Sequence, residues 1–206
     1  GAPTSRISSD QNNRLTGAIP TELGDLLELE QLNLWSNALT GSIPARLGNL
    51  AKLQLLAACC NQLGGSIPPE LGRLAELRNL YLYSNQLTGP LPAQLGRLGR
   101  LEGLHLSSNQ LTGPLPEAFA DLASLRELTA GANQISGAVP AWVSRLPEIE
   151  TLNLCGNRLT GPIPAGLGAA PHLKRLYLCG NSLSGTIPDD LGEAGELVDL
   201  QLQENQ

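Results

Sequence analysis

Residues 149–168 read IETLNLCGNRLTGPIPAGLG, and the spacing of their apolar side chains decides the fold. Ile149, Leu152 and Leu154 stand eight, five and three residues before Asn157. Leu173, Leu176 and Leu178 stand in the same places before Asn181. Leu alternating with polar neighbours is the period of a strand with one face buried. The constant stretch after the Asn, from Leu159 to Pro164, joins a Gly that permits unusual backbone angles to prolines that forbid a continuing helix.

Outward from that stretch the same unit recurs. Asn occupies 13, 37, 61, 85, 109, 133, 157, 181 and 205, a period of 24 without exception that bounds eight units. The offsets before each closing Asn are apolar and usually Leu; Ala58 and Ala130 shrink the last of them in two units. An apolar residue and Pro recur in all eight units, from Ile19 and Pro20 to Ile187 and Pro188. A pair such as Leu23 and Gly24, or Leu191 and Gly192, suits one short helical turn ending at Gly. Each unit is therefore a coil: a strand, a turn at Asn, an extended and irregular return path, and a short 3-10 turn.

Stacked coils bury each other's Leu faces and align their strands in parallel, and no coil is stable alone. The expected fold is an α/β solenoid: a curved right-handed stack, its parallel sheet on the concave face and its extended and 3-10 segments on the convex side. The solenoid is expected over residues 13–206 as an uncapped excerpt of a larger protein, with residues 1–12 a non-repeat segment that is partly disordered. Asn37, Asn61, Asn85, Asn109, Asn133, Asn157, Asn181 and Asn205 form a structural ladder, each amide satisfying backbone groups that its turn leaves unpaired.

The consensus L-x-x-L-x-L-x-x-N-x-L-T-G-x-I-P-x-x-L-G resembles the plant-type leucine-rich repeat, over residues 13–206. That repeat serves plant receptor kinases, pectinase-inhibiting proteins and algal ROCO-type GTPases, and the uniform units here are similar to the ROCO arrays. The resemblance implies a recognition module within a larger intracellular signalling protein. A cysteine-paired cap and Asn-x-Ser/Thr glycosylation sites, usual in the extracellular members, are missing, so a cytoplasmic location is expected. The alternative is an extracellular receptor ectodomain or a secreted pectinase-inhibitor-like protein.

Composition narrows the partner. A formal charge of −6 and a pI near 4.9 argue against nucleic acid and against an anionic membrane surface. No apolar run is long enough to span a bilayer. A protein or peptide is the expected ligand, with no cofactor; the oligomeric state stays open.

If the offsets five and three before each Asn point inward, those at six, four and two point outward. The two nearer columns hold no Asp, Glu, Lys or Arg and include Trp35, Tyr81, Tyr83, His105 and Tyr177. The third carries Glu127, Arg175 and Asp199, so charge enters only in the second half. Trp and Tyr are enriched where binding energy concentrates. Trp35, Tyr81, Tyr83 and His105 are the first candidates for partner contact, and Tyr177, Arg175 and Asp199 a second, more polar patch. Cross-strand aromatic pairs that only stabilise the sheet are the competing explanation.

Cys155 and Cys179 share an outward offset in adjacent units and fall side by side. Free thiols are expected, a disulfide being the alternative; no C-x-x-C accompanies them, so no metal site is expected. Cys59 and Cys60, being vicinal, are expected to pack or stay exposed rather than bridge. Trp142 stands where other units have Glu22, Arg46, Glu70 or Asp190, which puts it on the back or flank as a candidate second contact. No Ser or Cys has a base beside it in a catalytic motif, and catalysis is not expected.

Overall fold

The computed structural model describes residues 14–206; the expectation for residues 1–12 lies outside them. Eight three-residue strands, Gln31–Asn33, Leu55–Ala57, Asn79–Tyr81, Gly103–His105, Glu127–Thr129, Thr151–Asn153, Arg175–Tyr177 and Asp199–Gln201, pair in chain order into one parallel sheet. Equivalent residues lie opposite each other, as Leu32, Leu56 and Leu80 do, so this front sheet repeats in a register of 24. The Leu at the centre of the strands before the last points into the core, where Leu56, Leu80, Leu104 and Leu128 are at most 1% exposed.

The return path is not irregular. Thr16–Ala18 pairs with Ala38–Thr40, the single bridge Ser42 to Gly64 continues the row, and six strands from Gly64–Gly65 to Ser182–Leu183 complete a second parallel ladder on the flank. Its register is stepped: Thr16 faces Ala38 and Thr88 faces Gln110, 22 residues on rather than 24. The ladder asparagines impose the same step. Asn61 Oδ1 accepts the N–H of Leu39, and Asn85 Oδ1 that of Leu63, each across 22 residues. The Nδ2 group of Asn61 donates to the carbonyls of Ala58, Cys59 and, in the preceding coil, Leu34, at 3.0–3.2 Å. One amide thus joins both sheets and two coils. The residue before each Asn is left-handed, from Ser36 at φ 56° to Glu204 at φ 60°, which turns the chain sharply enough for the amide to reach back.

Helical structure among the described residues is 3-10 only, in eight short turns at the back. The Gly within these turns does not end them, as Leu-Gly suggested; it lets neighbouring turns touch. A Cβ on Gly48 would lie 2.4 Å from the carbonyl oxygen of Glu70, and one on Gly72 2.3 Å from that of Gln94. In two coils this Gly is replaced, by Ala120 and by Ser144. Their side chains forbid so close an approach, and Trp142 belongs to the turn that follows Ala120. Contrary to the flank position expected of it, Trp142 is 1% exposed and packs edge-on against Phe119, ring centroids 6.4 Å apart. Where two turns cannot touch through Gly, large aromatic side chains fill the interval.

At the edge of the front sheet, ion pairs recur one coil apart: Arg78 with Glu102, and Glu150 with both Arg126 and Lys174. Apart from the half-buried Glu150 their side chains are exposed, and each pair contributes roughly 0–1 kcal/mol.

Candidate functional site

The outward side chains of the front sheet build the surface expected to meet a partner. Across the first three strands, Asn33, Trp35, Leu55, Ala57, Cys59, Tyr81 and Tyr83 line an open depression of about 370 Å³. Its floor exists because the second coil carries small residues: Ala57 is 5% and Cys59 2% exposed, while the larger Trp35 and Tyr83 stand half-buried beside them. Burial pushes the Cys59 thiol up to about 11, so it remains a neutral wall beside Tyr83, whose hydroxyl burial also pushes up. The indole Nε1 of Trp35 is buried without a partner. Sequence spacing identified the aromatics of this depression; it left out Leu55 and Ala57, because an aliphatic residue at an outward offset carries no chemical signal until its neighbours wall it in.

Tyr81 links the depression to a polar neighbour. Its hydroxyl donates to Asn79 Oδ1 at 3.0 Å, and its ring meets His105 edge-on with centroids 4.8 Å apart. His105 Nε2 lies 3.0 Å from Glu127. Burial lowers the His105 pKa, against the opposing pull of Glu127. Gly103 lets this cluster close over the strand, since a Cβ there would stand 2.7 Å from Asn79 Oδ1 and 3.4 Å from His105 Nε2.

The second patch is separate. Tyr177 donates its hydroxyl to Asp199 Oδ2 at 2.8 Å, and Arg175 pairs in register with Asp199 across the last two strands. Trp35, Tyr81, Tyr83 and His105 are therefore brought together, while Tyr177, Arg175 and Asp199 form their own group toward the other end of the sheet. Beside this second patch, Cys179 of the same coil and Cys155 of the preceding one form a disulfide with Cα atoms 4.5 Å apart, where free thiols were expected. Strand pairing places their Cβ atoms within bonding reach, a proximity that one offset in adjacent coils makes inevitable. Cys59 and Cys60 are free. His172 is exposed at the edge, 3.6 Å from Glu196. Among the described residues no cluster of His, Cys, Asp or Glu could hold a metal ion.

A parallel-stranded solenoid with a uniform coil and an aromatic patch on its front sheet defines a recognition scaffold rather than an enzyme fold. The model of a leucine-rich repeat region matches residues 10–198, and the chain belongs to that family, with units of the plant type. No curated protein matches it in sequence. Among solved structures, the leucine-rich repeat ectodomain of the plant membrane receptor kinase GASSHO1/SCHENGEN3 from Arabidopsis thaliana, in complex with Casparian strip integrity factor 2, is 39% identical, with a TM-score of 0.83 over 95% of this chain and 26% of its own. The plant peptide hormone receptor RGFR1, in complex with RGF2, is 30% identical, with a TM-score of 0.79 over 94% of this chain and 39% of its own. A plant ice-binding protein is 32% identical, with a TM-score of 0.81 over 94% of this chain and 64% of its own. The chain thus spans less than two thirds of each of these relatives. They favour an extracellular setting over the intracellular signalling array and give the ROCO-type resemblance no support.

Proposed function

We propose that this chain is a ligand-recognition segment of an extracellular protein, and that it binds a peptide or protein on the front sheet. The observation that carries the reading is the uncharged aromatic depression around Trp35, Tyr81 and Tyr83 on the front sheet. The two receptor ectodomains among the relatives, and the Cys155–Cys179 disulfide, fit the extracellular compartment. His105 extends this patch, and Tyr177, Arg175 and Asp199 are the second contact. The Asn ladder serves the fold beneath them.

The test is selection of a random peptide phage library on the immobilised chain, followed by rebinding to a Trp35→Ala, Tyr81→Ala, Tyr83→Ala triple variant. Selected clones should lose binding while the variant keeps its thermal melt. Clones that bind the variant as well as the parent would show that the ligand uses another surface.

A second reading attaches to the flank sheet. Thr16, Thr40, Thr88, Thr112 and Thr160 occupy one outward offset there, the hydroxyl array that ordered water would match, and one relative is an ice-binding protein. Ice-recrystallisation assays of the parent against a Thr88→Lys, Thr112→Lys variant decide it: inhibition lost in the variant supports the reading, and no inhibition by the parent ends it.

A further inference from the structure

We propose that the ligand is an extended peptide that seats one large apolar side chain in the Trp35–Tyr83 depression and sets a lysine or arginine over Glu127 four residues away. The proposal rests on the front sheet being the peptide-binding surface and adds what the peptide must carry.

The depression takes the apolar anchor. Its walls, Trp35, Leu55, Ala57, Tyr81 and Tyr83, carry no charge, and about 370 Å³ accommodates one Leu, Phe or Trp side chain. Across the sheet toward Asp199, the first carboxylate at an outward position is Glu127, whose side chain is 50% exposed. Its one ionisable neighbour in contact is His105, whose Nε2 lies 3.0 Å away and whose charged form burial disfavours against the pull of Glu127. Between anchor and carboxylate the strand contributes Gly103, itself buried and covered by the side chains of Asn79, Tyr81 and His105, so the peptide crosses this interval over those uncharged side chains.

Distance fixes the spacing. From Leu55, which lines the depression and lies in register with Glu127 through Asn79 and Gly103, the carboxylate's strand is three steps away in the sheet, or about 14 Å at roughly 4.8 Å per step. An extended peptide advances about 3.3–3.4 Å per residue, so about four residues cover the interval. An even number also matters, because side chains an even number apart emerge on the same side of an extended chain and both can face the sheet. The net charge of −6 steers a cationic peptide to the surface.

The probe is a set of N-acetylated, C-amidated Gly/Ser decapeptides containing one Leu, with a single Arg moved one to six residues away on either side, read by fluorescence polarisation. Affinity should peak with Arg four residues from Leu in one chain direction, roughly five- to tenfold above the peptide with Ala there. In Glu127→Gln, whose side chain is exposed and whose melt should match the parent, the Arg and Ala peptides should bind alike. An advantage that does not depend on Arg position, or that survives Glu127→Gln, overturns this inference and leaves the peptide-binding face standing. Failure of every Leu peptide to bind overturns both.

Discussion

Gly72 and Gly192 occupy the same place in two coils, and Ala substitution should affect them in opposite directions. A Cβ on Gly72 would sit 2.3 Å from the carbonyl oxygen of Gln94 and 2.7 Å from its carbonyl carbon, both backbone atoms that cannot rotate away. The turns must separate, and the cost is that of an overpacked core, about 1–3 kcal/mol. The upper half of that range is expected, because here no aromatic fills the widened interval as Trp142 does beside Ala120. At Gly192 a Cβ would meet nothing within 4 Å and φ is not positive, so Gly192→Ala should be neutral or stabilise by roughly 0.4–1 kcal/mol through the unfolded chain. Urea unfolding followed by circular dichroism reads both. With a slope of about 3 kcal/mol/M, a 2 kcal/mol loss moves the midpoint down by roughly 0.7 M. A Gly72→Ala midpoint unchanged from the parent, or an equal loss in Gly192→Ala, would refute the claim that Gly is there to let neighbouring turns touch.

Further outcomes follow from the same structure. Asn109→Ala strands the N–H of Leu87 and the carbonyls of Leu82 and Leu106, all within 3.0 Å of the amide, and should cost about 3 kcal/mol by urea melt, whereas a loss below about 0.5 would remove the ladder from the stabilising groups. Thiol titration of denatured, unreduced protein should find two free cysteines, and four would refute the Cys155–Cys179 bridge. In the native protein at pH 8, Cys59 should react far more slowly than Cys60. Its folded pKa is raised, so the stability it contributes is fully present below the ordinary thiol pKa and is lost as pH climbs to about 11.

The front sheet was legible because Leu and Asn recur at fixed offsets, and each coil has one way to bury them. The aromatic column was legible for the same reason: once inward offsets are known, Trp35, Tyr81 and Tyr83 must face out. The flank sheet escaped because its bonds are made by the backbone around Thr-Gly, and the step to 22 arises from the reach of an Asn amide, which no residue spelling announces. Trp142 escaped because its burial depends on Phe119 and Ala120 in the preceding turn, a non-local condition. Adjacency of Cys155 and Cys179 could be read directly, but their oxidation could not, because spacing carries no redox information.

The mismatch between the two registers gives the stack a mechanical character. Tension along the axis pulls the front sheet's bonds in a pure opening mode, one strand after another, since equivalent residues there lie directly opposite. On the flank each strand is displaced by two residues from its neighbour, so the same tension loads those bonds partly in shear, and several must yield together. Under load the front would open like a zipper while the flank acts as the strap, leaving the coil joined by the side that carries no aromatic patch.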